Sequence, residues 1–315
     1  MKEKVLKNFL NVYWLRPETA MWRTIDACLL NKYRDYIKSP SLDFGCGDGI
    51  FSFIAAQGGI DLQYDVFKST TNLESFFNKI DIYNSYDEKI KNLIKINRKP
   101  NYVFDTGFDH KQSLLDKANL LSIYKSTTLG DGNGILAFEN ESFSFIFSNI
   151  IYWLNDPEVT LREIKRILKK EGKAFIFVPD KQFAESSFYY NLYLKTKDPS
   201  WKWLEKIDRG RLSDNIQHTY SYQKWAEIIQ KANLNIIEHK AYLSEKIIKM
   251  WDIGLRPISP LLIKMTSKIN NEDLLEIKEE WINLFYELIN PIIDNIELNE
   301  QNQGNCTFHM FILEK

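Results

Sequence analysis

Cysteine is scarce in this chain: Cys28, Cys46 and Cys306 are the only three among 315 residues, and no C-x-x-C pair occurs. An odd, scattered set excludes a disulfide scaffold and a thiolate zinc site. Histidine is nearly as rare, at four. His110, His239 and His309 have no metal-ligand spacing among themselves and H-E-x-x-H is absent, so no metal is expected. Neither sign of charge dominates, with 42 acidic against 41 basic side chains, which implies no extended nucleic-acid surface and leaves room only for a local basic pocket. The densest basic run, Lys165, Arg166, Lys169, Lys170 and Lys173, reads as a solvated helix face. No stretch of 18 consecutive apolar residues exists, so a transmembrane span is not expected. The first residues are broken by Asn11 and Arg16 before a signal-peptide core can form, and a cytoplasmic location is the expectation.

What is present is a mixture 44% apolar and 26% charged, the composition of a folded protein, in a chain about twice the length of a modal domain. After a polar start, Pro17 suits a first helical turn, and Ala20, Met21, Ile25, Cys28, Leu29 and Tyr33 recur at helical spacing. After the Ser39-Pro40 break, residues 41–59 read as a short strand, a glycine turn and a helix ending at Gly58-Gly59. NYVFDTGFD reads as the next strand and HKQSLLDKANLLSIY as a helix presenting Leu114, Leu115, Ala118 and Leu121. SFSFIFSNI is a further strand. PEVTLREIKRILKK follows as a helix with Val159, Leu161, Ile164, Ile167 and Leu168 inward, Asp156 as its cap and Gly172 as its exit. AFIFVP is continuously apolar, as a doubly covered strand is. Ser221 caps the helix YQKWAEIIQKA, Asn233 stops it, and LNIIEHKAYL is a strand. Residues 244–297 read as mainly helical, with Leu274, Leu275, Trp281, Ile282, Phe285 and Leu288 as an apolar stripe, before the edge-capable strand CTFHMFILEK.

This alternation predicts an α/β fold, a Rossmann-like and mostly parallel sheet with helices on both faces, an N-terminal helix and two sizeable insertions. The expected organisation is a helical cap over 1–38, a core over 39–243 interrupted by an insertion at 60–100, a helical insertion or lid over 244–300, and a final core strand over 301–315. Apolar positions in the late helices suit a dimer interface as well as an intramolecular cap, so oligomeric state stays open.

Gly45-Cys46-Gly47-Asp48-Gly49 follows the apolar strand Leu42-Asp43-Phe44. Glycines there allow tight dihedral angles and close backbone approach, so an adenosine-bearing ligand can lie across the strand ends. The spacing G-x-G-x-G lacks the extra residue of G-x-G-x-x-G, and no phosphate-binding G-x-x-x-x-G-K-S/T occurs, which argues against a dinucleotide or nucleotide triphosphate. Asp43 would set an anion near the ligand or bond its own turn. An amino group or sulfonium would benefit from an anion that repels a pyrophosphate.

LDFGCGDG, then GFDHKQSLLDKA, then the run from GDGNGILAF through SFSFIFSNIIYWLNDPEVTLREIKRIL to AFIFVP, and more loosely HTYSYQKWAEIIQKANLNII, resemble in order the blocks of class I S-adenosylmethionine-dependent methyltransferases, especially the small-molecule branch. The resemblance implies S-adenosylmethionine as cofactor and S-adenosylhomocysteine as product. It implies that Asp43, Gly45, Cys46 and Gly47 lie beside the methionine and ribose portions, and that Asp109 accepts from both ribose hydroxyls. Asp131 and Gly132 would lie by the adenine amino group, Phe108 or Leu136 against its ring, and Asn149 near the transferring methyl. Asp109 stands 66 positions beyond Asp43, whereas a ribose acid is expected roughly 20 beyond the turn. Asp65 is nearer that distance. Asp109 is preferred because a helix pattern follows it at once, while FKSTTNL after Asp65 starts like a loop.

The expected reaction is methyl transfer by in-line displacement to a small metabolite or saccharide-containing acceptor. His218 is the leading base and Tyr220 an orienting alternative. Tyr152 and Trp153 replace a histidine-rich pair common in the family; they and Tyr222 either shape the acceptor pocket or pack in the core. Arg16 would pair with the cofactor carboxylate or begin a helix. Phe183, Phe188, Tyr189, Tyr190, Tyr193, Trp201 and Trp203 would line a pocket or underlie a cap. No N-P-P-Y-like motif points to DNA amino groups. Another transfer, such as aminopropyl transfer, and a non-catalytic cofactor-binding scaffold are the competing readings.

Overall fold

The apolar runs become strands of one seven-stranded sheet, in a computed structural model that describes residues 1–67, 94–202, 218–255, 258–298 and 304–315. In chain order the elements are α1 (Lys2–Val12), α2 (Pro17–Lys32), β1 (Ser41–Phe44), α3 (Ile50–Ala55), β2 (Gly59–Ile60), β3 (Ile96–Arg98), β4 (Phe104–Asp109), α4 (Gln112–Leu120), β5 (Tyr124–Leu129) and β6 (Phe143–Ser148). They continue with α5 (Pro157–Ile167), β7 (Leu168–Pro179), α6 (Gln182–Glu185), α7 (Phe188–Thr196), α8 (Tyr222–Lys231), β8 (Asn235–Ser244), α9 (Glu245–Ile253), α10 (Ser259–Thr266), α11 (Asn271–Ile292), a π-helical turn (Ile293–Glu297) and β9 (Cys306–Glu314). The sheet order is β5-β4-β1-β6-β7-β9-β8, while β2 and β3 pair as a separate antiparallel ribbon. β5, β4, β1, β6 and β7 run parallel, and β9 runs antiparallel to both neighbours. This is the Rossmann-like architecture expected from the alternation of strands and helices.

Alternation along β7 separates the two faces. Phe175 meets Tyr33, just past the end of α2, at 5.8 Å between ring centroids, and Phe177 meets Tyr242, whose hydroxyl bonds Asp26 of α2, so the odd positions face the N-terminal helices. Ile176 and Val178 face the other way, beside Phe311 and His309 of β9, where Tyr222 of α8 covers them. Asp156 accepts from the amides of Glu158 and Val159 and so caps α5, and Ser221 caps α8, as expected.

Several elements differ from expectation. The polar-looking start is a helix: α1 buries Val5, Leu6, Phe9 and Leu10 between lysines that reach solvent. α5 stops at Ile167 and the chain turns straight into β7, so Gly172 lies inside the strand and is no helix exit. Val159 is 45% exposed and stands off the inward face held by Leu161 and Ile164. In α11, Leu274 and Ile282 are buried but Leu288 is exposed, Ile289 taking the inward position. β9 is interior rather than an edge, because β8 pairs along its free side; Thr307–Leu313 is accordingly buried throughout. The start of the 60–100 insertion is anchored: Asn11 Nδ2 donates to the Ile60 carbonyl at 3.0 Å, and Lys278 Nζ donates to that of Leu62 at 2.9 Å. Residues 68–93 of that expected insertion, and Trp203, lie outside the described residues. Among the described residues no helix is long and apolar enough to cross a membrane.

α2 carries a carboxylate into this core. Asp26 is buried, accepts the Tyr242 hydroxyl at 2.9 Å and lies 3.7 Å from Arg23 Nη1. Burial pushes its carboxyl up to about 7, against the opposing pull of Arg23 and the Tyr242 hydrogen bond. Between about pH 4 and 7 the folded chain therefore binds more protons at Asp26 than the unfolded chain, and stability from this group falls as pH rises through that window. Asp26→Asn should remove that slope. In urea unfolding at pH 5 and pH 8 its stability relative to the parent should rise with pH, by ~3 kcal/mol at most; a pH-independent difference would show that Asp26 ionises as an ordinary carboxylate.

Candidate functional site

β1 ends at Phe44, and the chain must then turn to begin α3 beneath it. Gly45 and Gly47 adopt φ of +87° and +55°, a region that side chains with a Cβ enter at a cost. The turn is tied to the neighbouring strand β4: the amides of Gly45 and Cys46 donate to the Phe108 carbonyl at 2.8 and 3.0 Å, and that of Gly47 donates to Asp109 Oδ2 at 3.0 Å. Asp109 Oδ1 accepts the Lys111 amide at 3.0 Å at the start of α4. Each carboxylate oxygen thus holds one backbone donor and keeps lone-pair capacity for another. Because β4 pairs directly with β1, Asp109 stands beside the turn; Asp65 is buried in the loop after β2 and accepts the Phe67 amide.

The two glycines differ in what surrounds them. A Cβ on Gly45 would lie 2.1 Å from Ile150 Cγ1, whereas one on Gly47 would meet nothing within 4 Å. Gly45 is closed by β6's exit, and Gly47 borders open space at the carboxyl ends of the strands. An adenosine-bearing group fits this cradle: open backbone at a positive-φ glycine, with a diol-competent carboxylate at its side.

Asp43 is not the exposed anion that was one of the two expectations. It is buried, and Oδ2 accepts Ser52 Oγ at 2.5 Å and the Tyr124 hydroxyl at 2.6 Å. Burial raises its carboxyl to about 6, partly offset by those two hydrogen bonds. Its role in the fold is to tie β1 to α3 and β5 beneath the turn. Burial and the carboxylates of Asp43, Asp109 and Asp48 push the Cys46 thiol upward, which keeps it a thiol.

Phe108 is buried, stacked on Phe44 with centroids 5.3 Å apart. Asp131 is exposed, its Oδ1 accepting from the backbone and side chain of Asn133, and Gly132 beside it is buried against Phe44 and Leu154. Asn149 leaves β6 half-buried. Tyr152 is buried against Phe308, and burial raises its hydroxyl; Trp153 is 48% exposed.

His218 and Tyr220 meet this edge through the backbone. His218 Nε2 lies 3.0 Å from the Leu154 carbonyl, Nδ1 lies 2.6 Å from the Tyr220 hydroxyl, and the Tyr220 amide donates to the Pro179 carbonyl at 3.4 Å. The pair therefore sits between the exits of β6 and β7. Tyr222 does not join it. It packs on His239 and Phe311, over β8 and β9, and β6, β7 and β9 separate β8 from β1. Arg16 Nε lies 3.8 Å from Glu18 Oε1. Phe183 is enclosed by Trp22, Trp251 and Phe308, while Phe188 and Trp201 are exposed.

From the sequence, Arg23 is expected only to follow, with Trp22, the segment Tyr13–Glu18 that could close over the site; the structure gives it a definite place. Its guanidinium lies 5.7 Å over the Phe51 ring, at the first turn of α3, and its charge acts on Asp48 in the glycine turn.

A glycine turn clamped by the neighbouring strand, at the carboxyl edge of a mostly parallel sheet, defines a Rossmann-like α/β protein. A family model described as a methyltransferase domain matches residues 24–239, more than two thirds of the chain. The chain belongs to that methyltransferase-domain family. No curated protein matches it. Similar solved structures include a Galdieria sulphuraria protein provisionally assigned as a sarcosine dimethylglycine methyltransferase, at 12% identity and TM-score 0.47 over 95% of this chain and 88% of that one. The cyclase SpnF follows at 12% and 0.46, over 92% and 81%. An Archaeoglobus fulgidus SAM-dependent methyltransferase stands at 12% and 0.43, over 93% and 94%. Likenesses this distant carry no argument about activity.

The contrast between the two glycines is measurable. Gly45→Ala should cost about 3 kcal/mol or more in urea unfolding, combining left-handed strain with overpacking against Ile150. Gly47→Ala should cost only ~1–2 kcal/mol, yet lose S-adenosylhomocysteine binding in calorimetry. Equal affinity in Gly47→Ala would mean that no ligand approaches that backbone.

Proposed function

We propose that this chain binds S-adenosylmethionine over Gly45–Gly49 and transfers its methyl group to a small metabolite or saccharide-containing acceptor at the carboxyl edge between β6 and β7. The observation that carries this reading is the Gly47–Asp109 clamp beside open space. When bound, the cofactor supplies a methyl group on a sulfonium, an electrophile that needs no activation by the protein.

The chain's own residues bind, orient and exclude water. Asp109 would take both ribose hydroxyls, a carboxylate being able to accept two charge-assisted hydrogen bonds. Asp131 and Gly132 would receive the adenine end, with Leu136 and the Phe108–Phe44 stack beneath, and Asn149 would lie toward the methyl group. Arg23, poised over Phe51, suits the cofactor carboxylate better than Arg16, which lies beside Glu18. Tyr152 and Trp153 would border the acceptor.

The Leu154 carbonyl can only accept, so His218 carries its proton on Nε2 and leaves Nδ1 to accept from Tyr220. The Tyr220 oxygen can then take a proton from an alcohol acceptor as its own passes to His218 Nδ1. A neutral amine would need no such base.

Calorimetry with S-adenosylmethionine and S-adenosylhomocysteine tests the binding half. Asp109→Ala should weaken both about 100-fold, the equivalent of two charge-assisted hydrogen bonds at the low end of their range, while Asp65→Ala stays near the parent. The reverse pattern would move the ribose acid to Asp65. Methyl-labelled cofactor offered with alcohol, amine and saccharide acceptors tests the transfer half. Binding without labelled product across that panel would favour a non-catalytic cofactor-binding protein or another transfer, such as aminopropyl transfer.

A further inference from the structure

We propose that Asp180, His309 and His239 form a proton relay connecting the carboxyl edge of the sheet to the outer strand β8. It rests on the reading above only for where the proton is used; the relay itself is a property of this chain alone.

Three elements assemble it from residues far apart in sequence. β7 ends at Pro179 and delivers Asp180 to the carboxyl edge, beside the Pro179 carbonyl that accepts the Tyr220 amide. β9 runs back antiparallel, placing His309 opposite Val178 and Phe311 opposite Ile176, both on the α8 side. β8 then sets His239 opposite Phe311, diagonal to His309. His309 is buried with both nitrogens engaged: Nε2 lies 2.8 Å from Asp180 Oδ2 and Nδ1 lies 3.0 Å from His239 Nε2. The His239 ring is held between Tyr222 and Phe311, with centroids 4.5 and 4.9 Å away. Among the described residues, nothing bonds His239 Nδ1.

The donors and acceptors leave one arrangement. Asp180 Oδ1 accepts the Gln182 amide at 2.8 Å, and an ionised carboxylate only accepts, so His309 must donate from Nε2. Its Nδ1 is then an acceptor, and His239 must donate from Nε2. The remaining lone pair of the chain is on His239 Nδ1, at a half-buried position on the outermost strand. A proton arriving there releases the Nε2 proton of His239 to His309 Nδ1, and His309 releases its own Nε2 proton to Asp180 Oδ2. Each ring exchanges one N–H for another, the carboxylate ends protonated, and the reverse sequence returns a proton to solvent. The charge at the Asp180 end can thus change without a water path through the core.

Burial lowers the affinity of both rings for a second proton, His239 to about 4, with His309 adding to the effect on His239 and Asp180 opposing it on His309. At neutral pH both rings are therefore neutral, the state in which a relay passes a proton without retaining it. Among the described residues, Tyr222 from α8 and Asp180 from the β7 exit are the titratable groups against the two imidazoles. Glu238 and Lys240 alternate to the opposite side of β8, where Glu238 accepts the Tyr33 hydroxyl.

Nitrogen-15 NMR of histidine-labelled protein decides the matter without any acceptor. In the parent at pH 7.5 both rings should carry hydrogen on Nε2, with Nδ1 bare; any other pattern on either ring overturns the relay. In Asp180→Asn the side-chain oxygen must still accept the Gln182 amide, which turns the NH2 toward His309 Nε2. Both rings should then change tautomer together to Nδ1–H. A His239 tautomer unaltered in folded Asp180→Asn would show two independent hydrogen bonds and overturn the proposal. Once an acceptor is known, His239→Gln should slow turnover about tenfold, at the modest end of acid–base effects, with cofactor affinity unchanged. Full turnover in His239→Gln would overturn the relay's use in the reaction. Loss of cofactor binding in the parent would sink the methyl-transfer reading instead and leave the tautomer pattern to stand or fall separately.

Discussion

The hydrogen bond from the Gly47 amide to Asp109 is the constraint on which the candidate site depends. It joins the end of β4 to the turn after β1, and it works only because the two strands are neighbours in the sheet. The Phe108 carbonyl secures the preceding two amides, so three consecutive backbone donors of the turn are satisfied from one strand. That frees the open side of Gly47 from any need for a protein partner, and it holds Asp109 with capacity left on both oxygens. A turn that used its amides on its own side chains would leave no such cradle.

Around this clamp the chain distributes its polar groups by depth. Asp43 lies below the turn as a buried tie between β1, α3 and β5, and Asp26 does a similar job between α2 and β8. Both carboxyls are raised by burial, which marks them as structural tensions in the core as well as bonds. Asp131 and Trp153 remain at the surface of the same edge. The antiparallel strand β9 completes the plan. It covers β7 and receives β8, and in doing so it brings the two strand histidines and the carboxylate after β7 into one hydrogen-bonded line.

The legible part of the fold was the part written in short windows. The strand at 41–44, the glycine turn, the capped helix after Asp156 and the run AFIFVP follow from apolar period and turn chemistry, and the structure carries each. Within the expected helical cap over 1–38, α1 was not separable as a helix of its own because lysines and asparagines interrupt its apolar positions, although their stems and the neighbouring helices cover them. The interior place of β9 was missed because a continuous apolar run does not say which strand lies on its second side. His239 and His309, seventy positions apart, offered no spacing to read.

The sequence by itself determined the alternation of strands and helices, the position of the glycine turn and the family to which the blocks belong, because these depend on residues within one turn or strand of each other. Tertiary structure alone decided that Asp43 is buried under Tyr124, that His218 rests on the Leu154 carbonyl, and that Arg23 stands by the turn. It also decided that Asp180, His309 and His239 share one chain of hydrogen bonds. The physical reason is that strand order and register, set by packing across the whole sheet, bring together side chains whose separation along the chain carries no local signal.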